Sequence, residues 1–348
     1  MIRQAIAKAA SGRDLSQEEM VSVMDQIMEG QATPAQIGAL LMALRIKGES
    51  LPEITGAAQV MRAKASPVPT RAREQGEVLL DIVGTGGDGA GTFNVSTTAA
   101  LVAAGAGVRV AKHGNRAVSG SCGSADLIAA LGIPLDLGPE EIGLCVDQVG
   151  IGFLFAPVLH SAMRHAVAPR REIGLRTIFN LLGPLTNPAG ADVLLVGVYQ
   201  AQLTTPLARV LGRLGVRSAL VVHGHGGLDE ISISGPTRVS RLQGGRVSEI
   251  TITPEQFGLG RAGLEEVSGG DPHTCRRHTL AVLHGQPGPR RDMTLMNAAA
   301  ALVAAGLAQD LRQGVELAAR SIDSGAALAK LEALTALARR LAGEDGRV

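Results

Sequence analysis

The chain has 348 residues, 33 Lys+Arg against 32 Asp+Glu for a formal charge of +1, 45% hydrophobic and 19% charged residues. That length and composition support a core needing no covalent staples, and they exclude a disordered chain or a small disulfide scaffold. One net charge gives no field for holding nucleic acid or an anionic bilayer, and with no tryptophan, one tyrosine and five phenylalanines the stacking platforms of single-strand binders are missing, so a small-molecule partner is expected.

The first segment, from Met1 to Ala10, is too short and polar for a signal peptide, and apolar stretches such as Leu295 to Ala308 are shorter than the ~20 residues of a membrane span. Cys122, Cys145 and Cys275 lack paired zinc spacing, which suits a reducing, cytoplasmic compartment. The first 65 or so residues read as helices. Ser16 with Glu19, Thr33 with Gln36 and Ser50 with Glu53 form capping boxes, Pro34 takes a first helical position, and Gly30 and Gly48 are stops. Ile37, Leu40, Leu41 and Leu44 make one apolar stripe that needs a packing partner, either the rest of the chain or a second copy. Ser66-Pro-Val-Pro-Thr70, followed by Arg71, Arg73 and Glu74, is the candidate hinge.

Beyond it strands alternate with helices, an α/β pattern. Strands are predicted at Val78–Val83, Val108–Ala111, Gly152–Phe155, Val193–Val198 and Ala219–Val222. Three shorter ones follow at Glu230–Ser234, Thr237–Leu242 and Val247–Ile252, and helices fill the remainder.

Gly84-Thr-Gly-Gly-Asp-Gly89 lies between a predicted strand and a helix beginning near Thr97, matching the spacing of a dinucleotide-binding turn. The acid that such a turn needs about 20 residues on is missing. Instead Val108-Arg-Val-Ala-Lys-His-Gly114 leads into a second glycine-bearing loop, Lys112 to Ser124, ahead of another helix. Two neighbouring turns of this kind, with Lys112 and Asp88 in them, suit a ligand with two phosphate-bearing ends, because helix N-termini present free N–H groups and glycine admits close approach. Asn94-Val-Ser-Thr97 adds hydroxyls; tight turns with ordinary N-caps are the bland alternative. Asp229-Glu230, just after His223-Gly-His-Gly-Gly227, offers carboxylates for Mg²⁺ on a phosphate ligand, although taken alone the two read first as a solvated acidic pair. His223 with His225, and His273 with Cys275 and His278, lack a complete four-ligand zinc pattern.

With DIVGTGGDG, NVST, KHGNR, RTIFNLLGPLTNP (Arg176 to Pro188), GLDE (Gly227 to Glu230) and RDMTLMNAAAAL (Arg291 to Leu302) in order over most of the chain, the sequence resembles the anthranilate phosphoribosyltransferase family. The resemblance implies an α/β fold of the nucleoside phosphorylase and phosphoribosyltransferase type: a small N-terminal helical domain, residues 1–70, that forms a homodimer, and a larger α/β domain, residues 71–348, with a mostly parallel central sheet. It implies a Mg²⁺-dependent enzyme of tryptophan synthesis that joins anthranilate to phosphoribosyl pyrophosphate and releases pyrophosphate. Gly84, Thr85, Gly86, Gly87, Asp88, Thr92, Asn94, Val95, Ser96, Thr97, Lys112, His113, Gly114, Asn115, Arg116, Ser119, Gly120 and Ser124 are the implied phosphoribosyl pyrophosphate contacts. Ser96, Asp229 and Glu230 are the implied metal ligands, with Lys112, Asp229 and Glu230 catalytic. Gly84, Asn115, His160, Arg170, Gly183 and Pro184 are the implied anthranilate contacts. Read from the residues alone, Arg170 in Arg170-Arg-Glu172 is a surface charge with an ion pair. Ser121 stands where the family usually has Lys or Arg, and Asp271-Pro-His-Thr-Cys275 departs from an Asn-containing pattern. The rivals are a nucleoside phosphorylase, a non-catalytic nucleic-acid-binding relative, for which a basic stripe is missing, and a dinucleotide dehydrogenase, for which the acid is missing.

Overall fold

The computed structural model describes residues 1–117 and 121–343. Helices α1 (Ile2–Ala10), α2 (Gln17–Met28), α3 (Pro34–Lys47) and α4 (Leu51–Lys64) come first. Ser16 and Thr33 cap α2 and α3 in full capping boxes. At α4 only half of the expected box carries a bond: Glu53 accepts the Ser50 N–H at 2.7 Å, whereas the Ser50 hydroxyl has no partner. Glu53 is fully buried because it has further work, accepting the Leu15 N–H at 2.8 Å and pairing with Lys47 at 2.9 Å. The predicted stripe of α3, Ile37, Leu40, Leu41 and Leu44, is buried throughout.

The segment read as a hinge is tied down, with the Ser66 N–H donating to Leu159 O at 2.8 Å and the Val68 N–H to Pro188 O at 3.1 Å. A single turn, α5 (Arg71–Glu74), then leads through β1 (Leu79–Gly84), α6 (Val95–Gly105), β2 (Arg109–Gly114), α7 (Ser124–Ala130), α8 (Pro139–Val149) and β3 (Ile151–Phe155). After the turn α9 (Ala156–Leu159) come α10 (Arg164–Ile173), α11 (Ile178–Leu182), β4 (Val193–Gly197), α12 (Thr204–Arg213) and β5 (Ser218–Gly224). The hairpin β6 (Thr237–Gln243) and β7 (Arg246–Ile252) precedes α13 (Pro272–Leu283), α14 (Pro289–Ala304), α15 (Leu311–Asp323) and α16 (Ala326–Leu341).

The seven strands form one sheet in the order β3-β2-β1-β4-β5-β6-β7, parallel through β5 and antiparallel at β6 and β7. Both faces are covered, as parallel sheets require. Val193, Leu195, Leu220 and Val222 pack toward α6 and the C-terminal helices, while Leu194, Val196, Ala219 and Val221 join an apolar cluster that includes the α1–α4 helices. On that face α12 packs on β5 and β6, and the helical bundle joins it through α4, which packs on α11 and α12.

One predicted strand is absent. Residues 230–234 run as irregular chain, because Asn297 from α14 satisfies the Ile231 backbone, giving to its carbonyl and accepting from its N–H at 3.0 Å each. A side chain thus supplies what a neighbouring strand would have given.

Candidate active site

The chain leaves β1 for β2 and β3 on one side and returns to β4 on the other, so the topological switch point, where open parallel sheets place their ligand sites, lies beyond the carboxyl ends of β1 and β4. The loops after β1, β2, β4 and β5 gather there. Asp229 is seated directly on two glycines of that edge: a side chain on Gly84 would strike its carboxylate, and one on Gly197 its backbone carbonyl. The glycine loop then turns over it, with Gly86 at φ +69° and Gly87 at φ +73°, and the Gly86 N–H donates to Asp229 Oδ2 at 2.7 Å. Thr85 is bound on both sides, its N–H to Gly197 O at 3.0 Å and its hydroxyl accepting the Tyr199 N–H at 3.2 Å. Asp88 turns its carboxylate onto the Ala90 N–H, and Thr92 makes a short bridge with Ser268.

Glu230 lies beside Asp229 and accepts the Ser96 N–H from the first turn of α6 at 3.1 Å. Burial, then the neighbouring Asp88, pushes the Asp229 carboxyl up to about 7; burial and the Asp229 charge push Glu230 well above the ordinary range. Two carboxylates so placed favour an arriving cation or proton. Lys112 is 3% exposed, with its Nζ on His113 O at 3.0 Å. Burial pulls its pKa down, and the charges of Asp81, Glu230 and Asp229 oppose that. Asp81, fully buried on β1, accepts the His113 N–H at 3.1 Å and Asn187 Nδ2 at 2.8 Å; burial raises its carboxyl to about 6 despite those bonds and Lys112. Asp81 and Asn187 were not among the sequence candidates, although an acid inside the apolar run Leu79-Leu-Asp-Ile-Val83 is a signal that something must be paired with it.

On the other side of β2 the His113 and His160 rings lie 5.2 Å apart, both buried, with neither Nε2 partnered. Burial, then the His160 and Lys112 charges, drops His113 to about 3, and burial drops His160 to about 4, so both are neutral at pH 7. His113 Nδ1 faces Gly183 O at 3.2 Å. A carbonyl only accepts, so the ring proton sits on Nδ1 and Nε2 is an acceptor. Gly183 and the buried Pro184 continue from α11, whose Phe179 ring lies 5.1 Å below the Arg170 guanidinium. The ion pairs of the described arginines engage Arg109, Arg116, Arg217, Arg238, Arg261 and Arg291, and the ion pair expected for Arg170 is not formed. Burial lowers its pKa without discharging a guanidinium.

The structure regroups several candidates. His113, placed with the phosphate contacts, belongs with His160 and Gly183. Val95 has its side chain in the core and its N–H on Phe93 O at 2.7 Å, which leaves it no group for a ligand. Arg116 is held by Asp126 at 2.9 Å and lies over the Phe155 ring. Asn94 does not cap α6 with its side chain but donates to Cys122 O at 3.2 Å, linking the two loops. Thr97 is buried with its hydroxyl unpartnered. Gly114 admits the Phe153 ring, and the Ser124 hydroxyl bonds the Asn115 backbone at 3.2 Å. Ser119 and Gly120 lie outside the described residues. His223 and His225 are spent on Val198 O and the Ser234 hydroxyl. Among the described residues no three His, Cys, Asp or Glu side chains form a metal cage.

Residues 76–328 match the α/β domain of a glycosyl transferase family and residues 3–65 its helical bundle domain. An anthranilate phosphoribosyltransferase of Symbiobacterium thermophilum is 57% identical over 99% of this chain and all of the relative, and one of Moorella thermoacetica is 56% identical over 97% of this chain and 98% of the relative. The chain belongs to the anthranilate phosphoribosyltransferase family. The crystal structure of the Thermus thermophilus family member superposes with a TM-score of 0.91 at 46% identity, covering 96% of this chain and 99% of that one. The Saccharomyces cerevisiae family member, solved in complex with phosphoribosyl pyrophosphate and Mg, superposes at 0.88 with 30% identity, covering 97% of this chain and 98% of that one.

Proposed function

We infer that the chain transfers the phosphoribosyl group of phosphoribosyl pyrophosphate to the amine of anthranilate, giving N-(5-phosphoribosyl)anthranilate and pyrophosphate in tryptophan biosynthesis. The observation that carries this is the convergence of two glycine-bearing loops and the Asp229–Glu230 pair at the carboxyl ends of the strands, with Arg170, over Phe179, forming no ion pair among the described residues. The acceptor side supports the same reading. Arg170 presents a fork suited to a carboxylate, and His113 Nε2 is an acceptor for an aromatic N–H.

The carboxylates fit Mg²⁺: Asp229 and Glu230 are held in place by backbone N–H groups and destabilised by burial and by neighbouring charge, Asp88 acting on Asp229 and Asp229 on Glu230, and with Ser96 they would hold the ion. Because Mg²⁺ keeps waters and takes substrate phosphate oxygens, a two-carboxylate site suffices. When bound it would neutralise charge growing on the departing pyrophosphate. The chain's own part is positional. The Thr85, Gly86, Val95 and Ser96 N–H groups are bonded within the chain, so the phosphates take the remaining N–H groups of the glycine loop and of the first turn of α6, and Lys112 adds a positive field rather than a direct contact, given its burial. Arg170 orients the acceptor, whose neutral amine needs no strong base; the carbon–nitrogen bond forms as carbon–oxygen bond cleavage frees pyrophosphate, and the proton the nitrogen then sheds passes to the departing pyrophosphate or to water.

Helices α1–α4 serve as a homodimerisation unit spanning residues 1–70, with the catalytic domain in 71–348; the support is Ile46 on α3, 81% exposed, with Met1 also exposed. Three free thiols support a cytoplasmic location. The direct test follows anthranilate fluorescence with phosphoribosyl pyrophosphate, with and without Mg²⁺. Metal-dependent loss of anthranilate with equimolar pyrophosphate release is the expected result, and no loss would refute the reading.

A further inference from the structure

Arg176 stands just before α11, solvent-exposed and without an acid partner among the described residues, yet its guanidinium is not free to wander. It lies 4.3 Å above the ring of Tyr199, and its Nη1 donates to Gly87 O in the glycine loop at 3.0 Å. Its own carbonyl accepts Arg45 Nη1 from α3 at 2.6 Å. Tyr199 is fixed in turn, since its N–H bonds the Thr85 hydroxyl at 3.2 Å at the start of that same loop. The glycine loop is thus gripped at Thr85 by the Tyr199 backbone and at Gly87 by Arg176, with the helical bundle holding Arg176 from behind.

A run of left-handed glycines is floppy by itself, and its N–H groups cradle an anion only when the peptide planes are fixed. A bond to the Gly87 carbonyl fixes the plane of the Gly87–Asp88 peptide and so aims its N–H. Stacking on an aromatic face lets an exposed arginine keep one orientation, and four of its five N–H donors remain after that bond. We propose that Arg176 is a positioning residue for the donor substrate, clamping the phosphate-binding turn at Gly87 and tying it through Arg45 to the helical bundle. The proposal rests on the reading of the glycine loop as the phosphoribosyl pyrophosphate site.

Steady-state kinetics on the full-length enzyme separate the two. In the wild type, saturation by phosphoribosyl pyrophosphate tests the loop reading itself. Arg176→Ala is expected to raise the KM for phosphoribosyl pyrophosphate about tenfold, as for loss of one charge-assisted hydrogen bond. The anthranilate KM stays within about twofold, and the thermal midpoint is unchanged because the side chain is exposed. Arg176→Lys, which keeps the charge but not the fork, recovers part of the loss. Tyr199→Phe, which keeps the ring face, stays near wild type, whereas Tyr199→Ala raises the same KM severalfold. An unaltered KM for phosphoribosyl pyrophosphate in Arg176→Ala, or an equal rise for both substrates, overturns the proposal while a saturable wild type leaves the loop reading standing.

Discussion

Arg170 shows how far a single residue can be read. Its sequence neighbours make it an ordinary surface charge, and only the fold shows it over the Phe179 ring with no ion pair among the described residues. Arg170→Ala is expected to raise the anthranilate KM at least about tenfold, with the KM for phosphoribosyl pyrophosphate nearly unchanged, as measured by initial rates. Asp81 is the opposite case, a residue legible as odd but not as placed. Its folded carboxyl titrates near 6, above its ordinary range, so the protonated form is favoured in the native state. Its contribution is fully present below about pH 4 and is lost as pH rises through about 6. Urea denaturation should therefore show the stability advantage of wild type over Asp81→Asn larger at pH 4 than at pH 7; a pH-independent difference would contradict this.

Among the elements, the strands from β1 to β5 were visible as apolar runs because parallel strands buried on both faces carry little polar alternation. The same signal misreads residues 230–234, where Asn297 takes the place of a strand partner. Caps were equally legible, but Glu53 could not be seen to serve Leu15 and Lys47 as well, since Leu15 is brought up only by the packing of the bundle and Lys47 only by the turn between α3 and α4. The clearest element-scale constraint is the crossing of the 229–230 segment over the ends of β1 and β4. Gly197→Ala is expected to push the Asp229 backbone outward and to lower kcat about 100-fold, the scale of a displacement of about 1 Å at a reacting centre. Mg²⁺ titration of the rate should shift to weaker binding in the same variant.

For the whole molecule, the helical bundle shares an apolar cluster with one sheet face, and through Arg45 it also touches the residue that grips the glycine loop. Cys122 and Cys275, far apart in sequence, meet beside Asn94, with Cys122 Sγ 3.4 Å from Asn94 Oδ1. No described helix is long and apolar enough to cross a membrane. If α3 forms the dimer face, sedimentation should give a dimer for wild type and a monomer for Ile46→Asp at micromolar concentration, with the α/β sheet intact by circular dichroism. A monomeric wild type would refute that assignment.

The sequence by itself determined the α/β class, the order of strands along the chain, the two glycine loops, the Asp229–Glu230 pair and the family, because each of these rests on local periodicity, turn chemistry or contiguous motif. Only the tertiary structure decided that His113 turns toward His160 and Gly183, that Val95 is buried and Arg116 pairs with Asp126, that Arg170 has no ion pair among the described residues, and that Asp81, Asn187 and Arg176 bond to the loops and strands of the site. The reason is physical. A side chain's direction and its partner are set by which strands become neighbours, and the step from β3 across β1 to β4 brings together residues more than a hundred positions apart.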